Sequence, residues 1–392
     1  MVVRKFKFYS INDHDLGNQI FDCWYAYVQS VSENFQVDDQ YEQVYNQFDK
    51  DPDPDKFNIL HWVNPDEQIY DYIDKFDLVL LDNGVEPLGI VCSTVLYDLI
   101  TSDRKNILVQ CDSRFYHTQK FSDKLISRNA WNDLVRDCYT RPFYPFYYKD
   151  RFSSKQRNGM SYINGRNKSV RNYFLSMLAE NTSVPIYNAL SGQHVWETMT
   201  SFFETPDDTK FRDACNQKCT NEKKQWDYYD QGFEIGANGK FGNVPPGMQM
   251  LDLYYENNCV VYPETTWINN ELCITEKSAK CFISGSIPFP VGGANLHQMF
   301  SQKGYHTAYH LLPHALRSFD TVLDHEQRMK QQIEAIQWLY EHQEEVFNSA
   351  ECVNIRKQNY TQFFTSRDSV QAIEKFYNVV EQHYAKKFYA QS

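Results

Sequence analysis

No stretch of this chain approaches the roughly 18 consecutive apolar residues that a membrane-spanning helix needs. Its opening residues, Met-Val-Val-Arg-Lys-Phe-Lys, lack the apolar centre of a secretory signal. Membrane insertion and export are therefore not expected, and the expected location is the cytoplasm. There is no internal repeat and no low-complexity tract, which sets aside solenoids and propellers. The ten cysteines are scattered, mostly in apolar surroundings as at Cys92, Cys111, Cys259 and Cys281, so free thiols are expected rather than a disulfide framework. Cys215 and Cys219 form the one close pair; with no second Cys/His pair at ligand spacing, a zinc site is not expected. Basic residues are also in short supply. Lys and Arg number 39 against 51 Asp and Glu, a net charge of −12, and that sign disfavours a nucleic-acid partner for the chain taken whole.

What is present is apolar material for more than one core. At 392 residues, 42% hydrophobic and 16% aromatic, the chain exceeds a single typical domain. Apolar runs at residues 6–11, 56–63, 76–82 and 106–112 read as strands of a buried parallel sheet. Helical patterns are interleaved at 19–31 and 86–100, and the acidic segment 39–55 is read as a helix and a surface loop. Strands alternating with helices imply an α/β, doubly wound fold. The alternation resumes with strands at 160–164, 259–262, 287–291 and 305–312, a glycine-containing loop and helix over 165–180, and helices at 248–255, 276–284, 296–303 and 319–345. Residues 142–157, rich in proline, aromatic and basic side chains, read as the interdomain linker, and 191–246 as loops with short elements. The expected organisation is a Rossmann-like domain over 1–150, a second over 158–365, and a C-terminal helix over 366–392 packing back on the first.

The stretch 262–295 organises the second half. An apolar strand delivers Glu264, Thr275 caps a helix carrying Glu276 and Lys277 in its first turn, and Gly285 ends that helix before the strand at 287–291. Such a unit sets backbone N–H groups, a carboxylate and an ammonium at the carboxyl ends of parallel strands, where nucleotides bind in α/β folds. A second basic segment, Gly165 to Arg171, opens the helix that runs to Glu180, with Arg171 in its first turn.

Val170-Arg171-Asn172-Tyr173-Phe174 with Leu178, then Glu264, Ile274-Thr275-Glu276-Lys277 and the run from Ser284 to Gly292, resemble the donor-domain signature of the α-1,3-fucosyltransferase-like glycosyltransferases. More closely, residues 160–345 resemble phage-encoded relatives of that group. The resemblance covers roughly the C-terminal half. It implies a GT-B fold, two Rossmann-like doubly wound domains facing across a cleft, with the acceptor domain first and the nucleotide-sugar donor domain second. It further implies that Arg171 contacts the diphosphate, Glu276 the ribose and Lys277 the phosphate, with Glu264 among the nucleotide-sugar residues. The family's Phe-Glu-Asn-Ser run stands here as Tyr262-Pro263-Glu264-Thr265, so only Glu264 carries over from it.

The chemistry is coherent apart from the resemblance. A nucleotide-sugar diphosphate carries about two negative charges, which a helix N-terminus with Arg171 and Lys277 can stabilise without a metal. No Asp-x-Asp loop of the metal-dependent glycosyltransferase kind stands out, and no cofactor is expected beyond the nucleotide-sugar co-substrate. His306, His310 and His314 recur every four residues, but Pro313 interrupts the helix a metal face would need. Transfer to a hydroxyl needs a general base. Asp13 and Asp15, with His14, and Asp82, with Asp112 behind it, are the candidates at strand ends; the blander reading of each is a loop acid capping a helix.

Three functions stay open. One is a glycosyltransferase acting on a saccharide or other small acceptor, slightly favoured by net charge. Another is a phage-type enzyme that glycosylates hydroxymethylated bases in DNA, acting in the host cytoplasm. From Arg141 to Phe174 the chain carries eight Lys/Arg against one acid, +7 locally and −19 elsewhere, with nine aromatic residues interleaved. Lys149, Arg151, Lys155 and Arg157 are the residues of that segment that would meet phosphates. The third is a catalytically inactive nucleotide-sugar-binding module.

Overall fold

Every strand pair of the two larger sheets is parallel, so each connection must cross over rather than turn back as a hairpin. The computed structural model describes residues 4–11, 39–45, 51–63, 65–82, 94–111, 114–115, 123–127, 152, 157–164, 168–188, 205–222, 251–264, 267–272, 274–365 and 368–389. The fold is α/β, in two units: Met1–Asp137 with Arg367–Ser392, and Cys138–Ser366.

The first unit holds a six-stranded sheet in the order β2-β1-β3-β4-β5-β7. Its strands are β1 (Arg4–Ile11), β2 (Asp39–Tyr45), β3 (Phe57–Val63), β4 (Leu78–Asp82), β5 (Ile107–Cys111) and β7 (Leu125–Ser127), with the two-residue β6 (Arg114–Phe115) between the last two in sequence. β4 shows why the centre is parallel: Leu78, Val79, Leu80 and Leu81 are all buried, so both faces of the strand are covered. One face assembles Phe6, Phe8, Phe57, Ile59, Leu78, Leu80 and Leu108, and its cover is Phe376, Val380 and Tyr384 of the C-terminal helix Asp368–Phe388. Lys387 anchors that helix, its Nζ donating to Asp77 Oδ2 at 2.8 Å and Lys56 O at 2.6 Å. The acidic segment expected as a helix and loop is instead strand β2 over Asp39–Tyr45. It pairs only with β1, and an edge strand tolerates polar residues such as Asp39, Gln40 and Glu42 because one side is not in the ladder.

The second unit's sheet runs β9-β8-β10-β12, built from β8 (Asn158–Asn164), β9 (Ile186–Asn188), β10 (Asn257–Pro263) and β12 (Ile287–Val291); β11 (Glu271–Leu272) is a two-residue strand outside it. β10 is central and wholly buried. β12 contains Pro288 and Pro290, which donate no hydrogen bond; its edge position makes them tolerable, since only one side must pair. Met160, Tyr162, Val261, Ile287 and Phe289 form one core with Phe174 and Leu178 of helix Ser169–Asn181 and Met329, Ile333 and Ile336 of helix His325–Glu341. Gly293 follows β12 where a Cβ would lie 2.0 Å from the Ile268 carbonyl oxygen, so the backbones come too close for a side chain.

Three expectations are corrected here. Residues 305–312 do not form a strand; Thr307 and His310 make a capping box for the 3-10 turn Ala308–Leu311, and that local bonding competes with extension. The helix expected over 319–345 is broken, because Asp324 caps a new start and His325–Glu341 is followed by the separate helices Gln343–Phe347 and Ala350–Thr365. Within the stretch read as loops, Pro206–Glu222 is a helix, with proline at its first position, where the missing N–H costs nothing. Among the described residues no helix is long and apolar enough to cross a membrane.

Tyr384 is 6% exposed and packs on Phe6 and Phe57 with ring centroids 5.5 and 5.8 Å away. Tyr384→Ala is expected to destabilise the first unit by about 3–5 kcal/mol. Urea unfolding followed by tyrosine fluorescence and far-UV circular dichroism measures this, and a loss below 1 kcal/mol would contradict the packing.

Candidate functional site

The direction of strand addition reverses between β8 and β10, with β9 beyond one and β12 beyond the other. Crevices for ligands in open α/β sheets lie outside the carboxyl ends of strands at such a reversal. Three segments distant in sequence meet there. Helix Ser169–Asn181 follows β8 and carries Arg171, 3% exposed, in its first turn. Arg171 Nη2 donates to the backbone oxygen of Glu264 at 3.3 Å, and Glu264 is the first residue after β10. Glu264 N in turn donates to Val291 O, at the end of β12, at 2.8 Å.

The helix Glu276–Ser284 completes the group. Thr275 is its N-cap in extended conformation, its hydroxyl oxygen accepting from Lys277 N at 3.4 Å, and Gly285 ends it in the left-handed region at φ 75. The cap hydroxyl donates to Glu264 Oε2 at 3.1 Å, and Ser278 Oγ donates to Glu264 Oε1 at 3.1 Å. Because the Ser278 proton is committed to Glu264, Tyr262 Oη donates to Ser278 Oγ, 2.7 Å away. Glu264 therefore sits with no solvent exposure and with both oxygens accepting from hydroxyls. Glu264, placed by the sequence among the nucleotide-sugar residues, thus braces the helix start through both of its oxygens.

Burial raises the Glu264 carboxyl to about 7, helped by the charge of Glu276 and opposed by Lys277 and the two hydroxyls. Glu276 goes the other way: burial opposes its ionisation, but the Lys277 and Lys280 ammonium groups outweigh it and hold the carboxyl down at about 2. Lys277 Nζ lies 3.2 Å from Glu276 Oε1. Lys280, one turn on and 5% exposed, lies 5.7 Å from the centre of the Tyr254 ring, and burial lowers its ammonium to about 8 against the pull of Glu276. Lys277 and Lys280 thus flank the Glu276 carboxylate, and Arg171 reaches the backbone of Glu264. The group is positive by one charge, or by two with Glu264 protonated, and a buried positive excess favours an anion.

The other predicted residues fall differently. Asp82 ends β4, its backbone in register with Gln110; its side chain lies outside the described residues, as do Asp13, His14, Asp15 and Asp112. The Asp-x-Asp spacing does occur in the sequence, at Asp13-His14-Asp15 and in Asp51-Pro52-Asp53-Pro54-Asp55. Lys149, Arg151 and Lys155 also lie outside the described residues. Arg157 lies within the described residues: its Nη1 donates to Asn257 O at 3.1 Å and Tyr254 O at 3.5 Å, and its Nη2 to Ser284 O at 2.6 Å, so it ties elements of the second unit together. Of the three histidines, His310 spends its ring on Ser301 Oγ, 2.9 Å away, and on Thr307. Cys215, Cys259, Cys281 and Cys352 are buried free thiols. Sequence reasoning missed Ser278, the Tyr262 hydroxyl and Lys280; the last had a signal, since Glu276 and Lys280 stand at i and i+4.

No family model matches this chain, and no curated protein matches it. Among solved structures, the N-terminal domain of trehalose-6-phosphate phosphatase from Candida albicans is similar, with a TM-score of 0.44 and 8% identity over 98% of this chain and 97% of that one.

The raised carboxyl of Glu264 gives a pH signature. Its folded-state value near 7 lies above the ordinary 4.5, so its stabilising contribution is complete below about pH 4.5 and is lost as pH rises through about 7. Glu264→Gln should remove that fall and shrink the stability difference between pH 5 and pH 8 by on the order of 2–3 kcal/mol. Urea denaturation of both proteins at the two pH values measures it; an unchanged difference would refute the assignment.

Proposed function

We propose that the chain is a nucleotide-sugar-dependent glycosyltransferase of the GT-B type, with the nucleotide diphosphate bound by the second unit at the carboxyl ends of β8 and β10. The observation that carries this reading is the convergence of Arg171, Lys277 and a capped helix N-terminus at the strand-order reversal. The diphosphate lies against the Arg171 guanidinium and the Lys277 ammonium, and Glu276, held ionised by its two lysine neighbours, accepts from the ribose hydroxyls. Glu264 fixes the helix start through Thr275 and Ser278.

In the reaction a new bond forms between the acceptor oxygen and the anomeric carbon, and the bond from that carbon to the β-phosphate oxygen breaks. The electron pair leaves on the diphosphate, whose developing charge Arg171, Lys277 and the helix dipole stabilise. The acceptor hydroxyl gives its proton to a base, assigned to Asp13, Asp15 or Asp82. The charges named suffice for the leaving group, so the reading requires no metal. The acceptor is a saccharide or other small hydroxyl compound, favoured over a polyanion by the net charge of −12.

Arg171→Ala and Lys277→Ala should each remove one charge-assisted contact. The cost is on the order of 1.5–3 kcal/mol, about tenfold or more in the dissociation constant for UDP or GDP measured by calorimetry. Affinity unchanged in both variants would overturn the assignment.

The DNA reading rests on the local +7 segment and is tested separately. Lys149, Arg151 and Lys155 changed together to Gln should flatten the slope of log affinity against log salt for hydroxymethylcytosine duplex by up to about 3, at roughly 0.9 per phosphate contact. A mobility shift that is absent at low salt removes this reading.

A further inference from the structure

Arg328 has no solvent exposure and is among the largest fully buried side chains in the protein. Its Nε donates to Gly292 O at 3.0 Å, and its Nη1 to Asn269 Oδ1 at 2.8 Å and Val322 O at 2.7 Å. Its Nη2 lies 2.6 Å from Nδ1 of His325. A guanidinium has only donors, so His325 Nδ1 is the acceptor and the ring proton is on Nε2. That nitrogen is 2.6 Å from Asp208 Oδ1, and Asp208 Oδ2 accepts from Thr205 N at 2.9 Å and from Thr205 Oγ1 at 2.7 Å. The result is a directional relay, from Arg328 to a neutral His325 to an ionised Asp208, in which every member is at most 5% exposed.

The relay ends on the walls of the site. Gly292 begins the loop that leaves β12, and Asn269 belongs to the loop that leaves β10. Asn269 Oδ1 also accepts from Ala294 N at 2.9 Å, and Asn270 N donates to Ala294 O at 3.0 Å. The two loops are thereby joined side by side, starting from the Glu264 to Val291 bond at the strand ends. On the other side Phe211, in the helix that carries Asp208, stacks on His325 at 4.6 Å and meets Tyr173 at 6.3 Å, in the helix whose first turn holds Arg171.

We propose that Arg328, oriented by His325 and Asp208, is a positioning residue for the nucleotide site, setting the β10 and β12 loops relative to the helix that carries Arg171. The proposal rests on the nucleotide-sugar reading. An apolar side chain of the same volume would fill the space at lower desolvation cost, but it could not bond Gly292 O, Asn269 Oδ1 and His325 at once. A lysine could not either, because its three donors radiate from one atom. Supporting shells of this kind fix the geometry of groups that touch substrate without touching it themselves.

The test compares wild type, Arg328→Lys, Asp208→Asn and Asn269→Ala by calorimetric titration with UDP and GDP, each well below its own thermal midpoint. The dissociation constant is expected to rise at least tenfold in all three variants while the folded baseline is retained. Asn269→Ala leaves Arg328, His325 and Asp208 in place and removes the Nη1 bond to the β10 loop together with the Asn269 bonds to Ala294 N and Leu323 O, so it still reads out the loop position if the charge variants do not fold. A fall in midpoint with affinity within twofold of wild type marks a purely structural role and overturns the proposal. If wild type binds neither nucleotide, the nucleotide-sugar reading fails and the proposal with it. A long-range proton–nitrogen spectrum gives an independent readout: His325 should appear as the neutral Nε2–H form, and a ring protonated on Nδ1 would overturn the relay.

Discussion

A carboxylate without access to water holds the strand ends of the second unit to the helix that follows them. Glu264 accepts from Thr275 and Ser278, and so fastens the end of the central strand to the start of the helix behind it. The arrangement is costly, since a buried carboxylate without its two hydroxyls would lose ionisation or lose the fold. It is also specific, because the acceptor-only geometry of the charged form dictates which way every neighbouring hydroxyl proton points. The lysine-flanked Glu276 can then stay ionised a single turn away, so two carboxylates near each other have different proton affinities and different tasks.

The chain is short of basic residues yet spends several of its arginines inside. Arg157 gathers carbonyls from two helices, Leu251–Glu256 and Glu276–Ser284, and from the start of β10. Arg356, fully buried, joins Phe152 O at 3.2 Å to Asn258 Oδ1 at 2.6 Å, and Arg328 joins the two loops. In each case a planar fork with five donors satisfies backbone oxygens that the ends of strands and helices leave over. A scan that counts charge alone assigns such residues to a surface. That is why Arg157 was read as a phosphate contact and Arg328 was not singled out.

What could be read from sequence was local. The Thr275 cap, the Gly285 stop and the strand over 287–291 depend on neighbouring residues, and they stand where the pattern placed them. Continuous apolar runs likewise marked β3 and β4 to within two residues. The edge strand over Asp39–Tyr45 escaped because its identity comes from pairing with β1, thirty-odd residues earlier, and its own composition argues against it. The Asp208 to His325 contact spans 117 residues, and no spacing rule reaches so far. Glu264 was picked out by its place after a strand, but its burial depends on Ser278 and Tyr262 closing over it.

The cover on the first unit's core has a consequence for how the protein is made. Phe6, Phe8 and Phe57 leave the ribosome early, whereas Phe376, Val380 and Tyr384, which close over them, come only after the whole of Cys138–Ser366 has been synthesised. At about 5–20 residues per second, that interval lasts roughly 10–50 s. During it, the face that carries Phe6, Phe8, Phe57, Leu78 and Leu80 lacks the cover that Phe376, Val380 and Tyr384 give it. The second unit, contiguous in sequence, can therefore be finished before the unit that precedes it.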